Sequence, residues 1–358
     1  MSVPAVSPTL LQTRQHFKIL DGLRGIAAVS VVIFHFMEFV TPDYKDNFIA
    51  HAYLAVDFFF CLSGFVIAYA YDTRLKQIGV LNFFKLRLIR LHPLVLIGSV
   101  IGLLAFVFDP FSNLYSLYSG KTLQLFLASC LMIPYPVVPE RYFNLFHLNP
   151  PAWSLFWEYV ANIFYALVLV RLRNKFLWVL TLLAAAALFY EAYDSRFLGV
   201  GFGGDNVRAG GIRVAFSFLA GMLVYRSNWI IRNRFGFGGL GLLLFIVFLV
   251  PYADATNWLV EPLMVVLYFP FLLALGVGAV LSPRWEKLCR FSGDISYPLY
   301  MVHYPFLWLF LSYIEVHKPG MGQMTIITII GVPVLIGLAY LVMVLLDLPL
   351  RKWLRRQV

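Results

Sequence analysis

The 358-residue sequence is 61% hydrophobic and 17% aromatic, and only 13% of its residues are charged. Soluble domains are about 45–50% apolar and about 25% charged, so this composition, with a mean hydropathy of +0.80, excludes an ordinary soluble protein. The net charge of +10 does not indicate nucleic acid as a partner, because the cations cluster beside apolar runs, where they orient helices and meet lipid headgroups. The sequence predicts an all-α polytopic membrane protein in contact with the lipid bilayer.

Ten apolar runs approach the roughly 20 residues that a membrane-crossing helix needs. An eleventh run, at 122–134, is shorter and leads into "IPYPVVPE", whose prolines break a helix. The ten runs are residues 21–40, 52–72, 88–108, 152–170, 176–193, 211–225, 237–251, 259–281, 295–316 and 325–348.

The distribution of cations decides between ten and eleven crossings. With ten, about three quarters of the 28 Lys and Arg residues fall on the side that holds both termini, whereas an eleventh crossing divides them almost evenly. The positive-inside rule therefore favours ten transmembrane helices, both termini cytoplasmic, and a re-entrant or interfacial segment at 122–134. We expect residues 1–358 to form one integral-membrane domain, with no cleaved signal peptide, no appended soluble domain and no metal site.

The first helix carries Arg24 near its cytoplasmic end and His35 eleven residues further on. At about 1.5 Å of rise per residue, His35 lies roughly 16 Å higher on nearly the same helix face. His35 is equally compatible with a buried histidine that bonds another helix and with a general base, since imidazole titrates near neutrality. The second helix adds Asp57 about five residues from its outer end.

Arg87 and Arg90 share one face at the cytoplasmic entrance of the third helix. Their pattern suits a phosphate clamp, although ordinary positive-inside anchoring explains it as well. In the fourth helix, Glu158 lies about two turns inward from the start at Pro150 and Pro151, and Trp153 and Ser154 lie between them. A carboxylate at that depth favours function, whereas a tryptophan at a helix mouth is typical of an interfacial belt.

The ninth run carries His303 a little past mid-depth, in a segment rich in tyrosine that includes Tyr297. Intramembrane ionisable groups usually face a wet interior or one another. We therefore expect a cavity that is cationic at its cytoplasmic mouth and acid–base in character in its outer half. His303 fits a functional and a structural role equally well.

Five segments in chain order resemble the motifs of the integral-membrane acyltransferase-3 family, the polysaccharide and lipopolysaccharide O-acetylases. The resemblance covers about residues 17–310. The segments are "LDGLRGIAAVSVVIFH" (20–35), "VDFFFCLSGFVIA" (56–68), "RLIR" (87–90), "WSLFWE" (153–158) and "ISYPLYMVHYP" (295–305).

This resemblance implies a membrane O-acyltransferase of the bacterial inner membrane. It would take an acyl group, usually acetyl, from cytoplasmic acyl-coenzyme A as co-substrate and deliver it to a hydroxyl of a glycan or glycolipid. Partners would then include proteins of cell-envelope polysaccharide biosynthesis, and no permanently bound cofactor is expected. The implied roles are His35 as catalytic base, Glu158 as a catalytic residue towards the acceptor, and coenzyme A binding by Arg24, Arg87 and Arg90. Supporting or acceptor-side roles go to Asp57, Trp153, Ser154, Tyr297 and His303.

Two further hypotheses stay open at this point. A proton-coupled transporter or flippase of a glycan precursor also uses intramembrane His and Glu, although no repeat symmetry of the kind that many transporters show is visible. A non-enzymatic membrane scaffold is the third. For the enzyme, direct transfer is favoured over an acyl-enzyme, for which Cys61 and Ser63 are candidates by depth alone.

Overall fold

A computed structural model describes residues 17–357 of the chain. Within that range every regular element is helical, and extended pairing is limited to two isolated bridges. The α-helices are α1 Lys18–Val40, α2 Ala55–Tyr71, α3 Leu75–Ile78, α4 Val80–Val107, α5 Leu114–Tyr118, α6 Thr122–Leu131, α7 Ala152–Leu167, α8 Asn174–Ser195, α9 Val207–Arg226, α10 Gly236–Phe248, α11 Asn257–Leu263, α12 Phe269–Gly278, α13 Glu286–Val302, α14 Tyr304–His317, α15 Met321–Val342 and α16 Leu348–Arg355.

Every predicted crossing run coincides with helix, which confirms the all-helical membrane class. Among the described residues, eight helical stretches are long and apolar enough to cross a bilayer, and the bent pair α13–α14 makes up to nine. Helix α10, in the seventh run, has only 13 residues and is short for a crossing. The number ten and the cytoplasmic placement of both termini stay predictions.

The eleventh run forms the ten-residue helix α6. At about 1.5 Å per residue, α6 is too short to cross a bilayer by itself. It packs on α4, where the Ser129 and Ser99 hydroxyls hydrogen-bond at 2.7 Å, while Leu123 and Leu127 on its other side are exposed. The segment is therefore an accessory helix on the outside of the bundle.

Small residues let two pairs of parallel helices pack closely. A Cβ on Gly25 of α1 would lie 1.7 Å from Ser292 Oγ of α13, and a Cβ on Gly64 of α2 would lie 2.0 Å from the Phe218 carbonyl oxygen of α9. Only glycine permits such approach between membrane helices. The contact between α1 and α13 positions the candidate active site, because the polar residues of that site lie along it.

The break between α13 and α14 has a covalent cause. Pro305 lacks the N–H that would bond the Met301 carbonyl in a continuous helix, and the two helices meet at an angle of 48°. Asn149 Nδ2 donates to that freed carbonyl at 3.0 Å. The bend thus places His303 and Tyr304 at a corner that faces α1.

Candidate active site

His35 and Glu38 form a hydrogen-bonded pair in the last turns of α1. The spacing of three residues places both side chains on one helix face, and His35 Nδ1 lies 2.6 Å from Glu38 Oε2. The two side chains are 20% and 18% exposed, so the pair is partly buried but accessible. An ionised Glu38 accepts from Nδ1–H, which fixes the tautomer that leaves the Nε2 lone pair free.

The corner between α13 and α14 supplies the aromatic surroundings of His35. The His303 ring stacks on the His35 ring at 5.5 Å between centroids, and Tyr304 meets it edge-on at 4.8 Å. His303 is fully buried, and its Nδ1–H donates to the Leu299 carbonyl at 3.0 Å. Its Nε2 is buried and has no hydrogen-bond partner among the described residues.

Arg24 lies three turns below His35 along the same contact between α1 and α13. Its guanidinium donates to the Gly293 carbonyl and to Ser296 Oγ, both at 2.9 Å, and to Asp21 at 3.3 Å. These contacts tie Arg24 to the beginning of the late motif. The structure therefore sets Arg24 and His35 along a single interface, as their spacing predicts.

Glu158 of α7 is held by two other helices. Arg87 of α4 donates to Glu158 Oε1 at 2.7 Å, and Ser63 of α2 donates to the same oxygen at 2.9 Å. Arg90 is exposed, has no hydrogen-bond partner among the described residues, and lies close enough to Arg24 and Arg87 to interact with them electrostatically. The three predicted arginines thus belong to one cationic group, which also contains Glu158.

Two further predicted residues, Ser154 and Tyr297, link the helices that carry Glu158 and Arg87 to α13. Ser154 at the start of α7 shares a 2.8 Å hydrogen bond with the Tyr300 hydroxyl, and the Tyr300 ring lies 6.0 Å from that of His303. Tyr297, one turn earlier on α13, donates to the Leu91 carbonyl of α4 at 2.6 Å. These bonds fix α4 and α7 against α13.

Asp57 has a structural partner that the sequence did not reveal. It forms a fully buried ion pair with Arg213 of α9, at 2.6 Å between Oδ2 and Nη2. The same guanidinium donates to the Val200 carbonyl at 2.7 Å and lies 5.2 Å from the Trp153 ring. Asp57 and Trp153 therefore hold α2, α7 and α9 together. The acid–base groups that were expected to share the outer half of one cavity, His35, His303, Glu158 and Asp57, instead lie in separate clusters.

Sequence reasoning also missed Glu38 and Tyr304, which contact His35 directly. For Glu38 a signal exists, because "HFME" spaces a histidine and a carboxylate by three residues in a helix. No comparable pattern identifies Arg213, whose partner lies 156 residues away in the chain.

Comparison with known proteins places these residues in a family. A family model described as an acyltransferase domain matches residues 17–348. Protein 2 of the picA locus of Rhizobium radiobacter is 36% identical over 163 residues, which cover 42% of this chain and 82% of that protein. O-acetyltransferase OatA of Staphylococcus aureus strain NCTC 8325 / PS 47 is 25% identical over 323 residues, which cover 82% of this chain and 51% of OatA.

A putative O-acetyltransferase of Staphylococcus aureus strain COL is similar to the same extent, with 24% identity over 321 residues. The chain spans about half the length of these two staphylococcal relatives. No solved structure matches the chain.

Proposed function

Because the chain belongs to the acyltransferase-3 family of integral membrane acyltransferases, we propose that it is a membrane O-acetyltransferase. The donor is cytoplasmic acyl-coenzyme A, most simply acetyl-coenzyme A. The acceptor is a hydroxyl of a glycan or glycolipid, such as an exopolysaccharide or O-antigen, and the enzyme works in a bacterial inner membrane. The relatives named as O-acetyltransferases support transfer to oxygen.

The observation that carries this proposal is the pair of His35 and Glu38. A histidine whose Nδ1 bonds a carboxylate is oriented to use Nε2 as a base, and the carboxylate stabilises the imidazolium that forms. Partial exposure leaves Nε2 open to a substrate, while the rings of His303 and Tyr304 pack against the imidazole of His35.

The reaction then follows a balanced sequence. His35 Nε2 takes the proton of the acceptor hydroxyl as its oxygen attacks the thioester carbonyl carbon, and a C–O bond forms. The C–S bond breaks, and the coenzyme A sulfur leaves with the proton that His35 held. Direct transfer is the simpler route, because Cys61 is buried and the Ser63 hydroxyl is bonded to Glu158.

The arginine group supports a donor site at the opposite end of the α1 and α13 interface. Coenzyme A carries several phosphate charges, which arginine forks bind well. About 16 Å of helix separates Arg24 from His35, a distance that the extended pantetheine arm of the donor can cover. The nucleotide end would therefore meet Arg24 and Arg90, and the thioester would reach His35.

The test is transfer of label from radioactive acetyl-coenzyme A to oligosaccharides of the host's cell envelope. Wild type should label the oligosaccharides and His35→Ala should not, because it lacks the base. The exposed His317 of α14 provides a matched control, since His317→Ala removes a histidine outside the site and should keep activity. Equal transfer by His35→Ala and wild type would reject His35 as the base. Movement of a glycan precursor by wild type without thioester consumption would favour a transporter instead.

A further inference from the structure

Two loops at the His35 end of the bundle are joined by backbone hydrogen bonds. Leu145 N–H donates to the Phe202 carbonyl and Gly204 N–H donates to the Phe143 carbonyl, both at 2.9 Å. We call residues 142–145 and 202–204 the loop clasp. The second loop is also anchored to α9, because its Val200 carbonyl accepts from the buried Arg213. The clasp is therefore a fixed structure rather than a loose connection.

The clasp contains two consecutive residues in the left-handed region of backbone space. Tyr142 has φ 59° and Phe143 has φ 48°, which costs a non-glycine residue of order 1 kcal/mol or more. Glycine or asparagine adopts this conformation more easily. Here it caps the short helical turn Pro139–Arg141, because Tyr142 N–H donates to the Pro139 carbonyl at 3.0 Å and Phe143 N–H donates to the Val138 carbonyl at 3.1 Å. Both side chains are large and are 58% and 48% exposed, so the cap holds two aromatic rings out from the fold.

The clasp lies next to the candidate active site. The Arg141 guanidinium, one residue before Tyr142, lies 5.1 Å from the Trp308 ring. Trp308 contacts Tyr304 at 4.9 Å, and Tyr304 contacts His35 at 4.8 Å. One side of the clasp is thus connected to His35 through two aromatic rings.

The electrostatic environment of Tyr142 also indicates that this residue lies near the candidate active site. Partial burial raises the pKa of Tyr142, and the nearby Glu38 carboxylate raises this pKa further. Tyr44, in the turn after α1, likewise interacts with Glu38. Two tyrosines from separate segments of the chain, Tyr44 and Tyr142, therefore lie close enough to Glu38 to interact with it.

Tyrosines beside a candidate active site have the chemistry that a sugar needs. Aromatic faces cover the C–H surface of a pyranose ring, and phenol hydroxyls bond its hydroxyl groups, so that tyrosine serves both surfaces at once. A membrane-interface belt also uses tyrosine, but a belt ring faces lipid, whereas Tyr142 lies close enough to interact with Glu38 of the candidate site.

We propose that Tyr142 and Phe143 form a docking platform for a pyranose ring of the acceptor glycan, which holds one sugar hydroxyl towards His35. This inference rests on the proposed function, because it takes the acceptor to be a glycan. It identifies which part of the two loops recognises the acceptor, and it assigns the unusual backbone of the clasp a role in positioning the two rings.

The test uses Tyr142→Asn and Phe143→Asn, because asparagine removes the ring while it suits the left-handed backbone. Lys318→Asn is the matched control, since Lys318 is exposed and also left-handed, at φ 45°, but lies after α14. Binding of fluorescently labelled host-envelope oligosaccharides is measured on protein in lipid nanodiscs, together with the apparent KM for acetyl-coenzyme A and the melting temperature. Each clasp variant should raise the oligosaccharide Kd about fivefold or more. Its melting temperature and its KM for acetyl-coenzyme A should stay at least as favourable as those of wild type.

The outcomes separate the inference from the proposed function. Unchanged oligosaccharide binding in both variants, or no binding by wild type, would overturn the docking platform. A weaker Kd in the clasp variants but not in Lys318→Asn would support it, whether or not acetyl transfer is seen. Normal oligosaccharide binding by wild type without any acetyl transfer would overturn the acetyltransferase and leave the sugar site standing.

Discussion

Replacing Glu38 by glutamine tests the role of the His35 partner with little change in shape. The 2.6 Å contact between His35 Nδ1 and Glu38 Oε2 becomes a bond to a neutral amide, which would no longer stabilise the imidazolium that the proposed mechanism forms at His35. A hydrogen bond to a charged group is worth about 1.5–3 kcal/mol, and about 1.36 kcal/mol corresponds to a factor of ten in rate. We therefore expect kcat for acetyl transfer to fall by about 10- to 150-fold in Glu38→Gln.

The assay measures initial rates against acetyl-coenzyme A concentration. Because Glu38 positions His35 and lies far from the arginine group, the KM for acetyl-coenzyme A should stay within about twofold of wild type while kcat falls. The exposed Glu140, which accepts a hydrogen bond from the Tyr118 hydroxyl, provides the control Glu140→Gln, with no expected effect. A Glu38→Gln enzyme that keeps full kcat would refute the reasoning, as would one that changes only the KM for the donor.

Three other predictions concern stability. Asp57→Asn leaves the buried Arg213 charge without its counter-ion, which should lower the free energy of unfolding by about 3–5 kcal/mol, measured by denaturant titration in detergent. Gly64→Val should prevent close packing of α2 on α9, because even a Cβ would lie 2.0 Å from a backbone oxygen; the expected result is loss of folded protein on size-exclusion chromatography. Burial and the nearby Arg141 lower the pKa of the loop residue His147 to about 3, from its usual 6.5. Below pH 6.5 the unfolded chain therefore binds a proton that the folded chain does not, so stability falls as pH drops towards 3, by up to about 1.36 kcal/mol per unit. Melting temperatures recorded from pH 7 to pH 4 should fall less steeply in His147→Gln than in wild type.

The helices could be predicted from the sequence because membrane crossing imposes a length and an apolar composition on each segment. Hydropathy alone does not give the exact ends, as α10 shows: it ends at Phe248, shortly before Pro251, and is shorter than the apolar run that predicts it. The break at His303 follows from Pro305, but its consequence depends on Asn149, which satisfies the freed carbonyl from a distant loop.

The polar residues of the site were predictable one at a time, whereas their partners were not. Depth along a helix follows from residue number, so Arg24 and His35 could be assigned to one wall. Which helices are neighbours depends on the packing of the whole bundle, and the pairs of Asp57 with Arg213 and of Glu158 with Arg87 require that information. Glu38 was an exception, because it lies three residues after His35 on the same helix and its contact needs no knowledge of the bundle.

The pairing of Glu158 with Arg87 changes the expected division of the cavity. The sequence predicts cations at the cytoplasmic mouth of the cavity and acid–base groups in its outer half. In the structure, however, the Arg87 guanidinium and the Glu158 carboxylate lie 2.7 Å apart. A phosphate that took Arg87 would leave Glu158 with only the hydroxyl of Ser63, whereas a phosphate that met the exposed Arg90 would break no hydrogen bond among the described residues. If the donor is coenzyme A, as proposed, Arg90 is therefore the better placed of the two arginines to bind its phosphates. The bond from Arg87 to Glu158 then serves to hold α4 against α7.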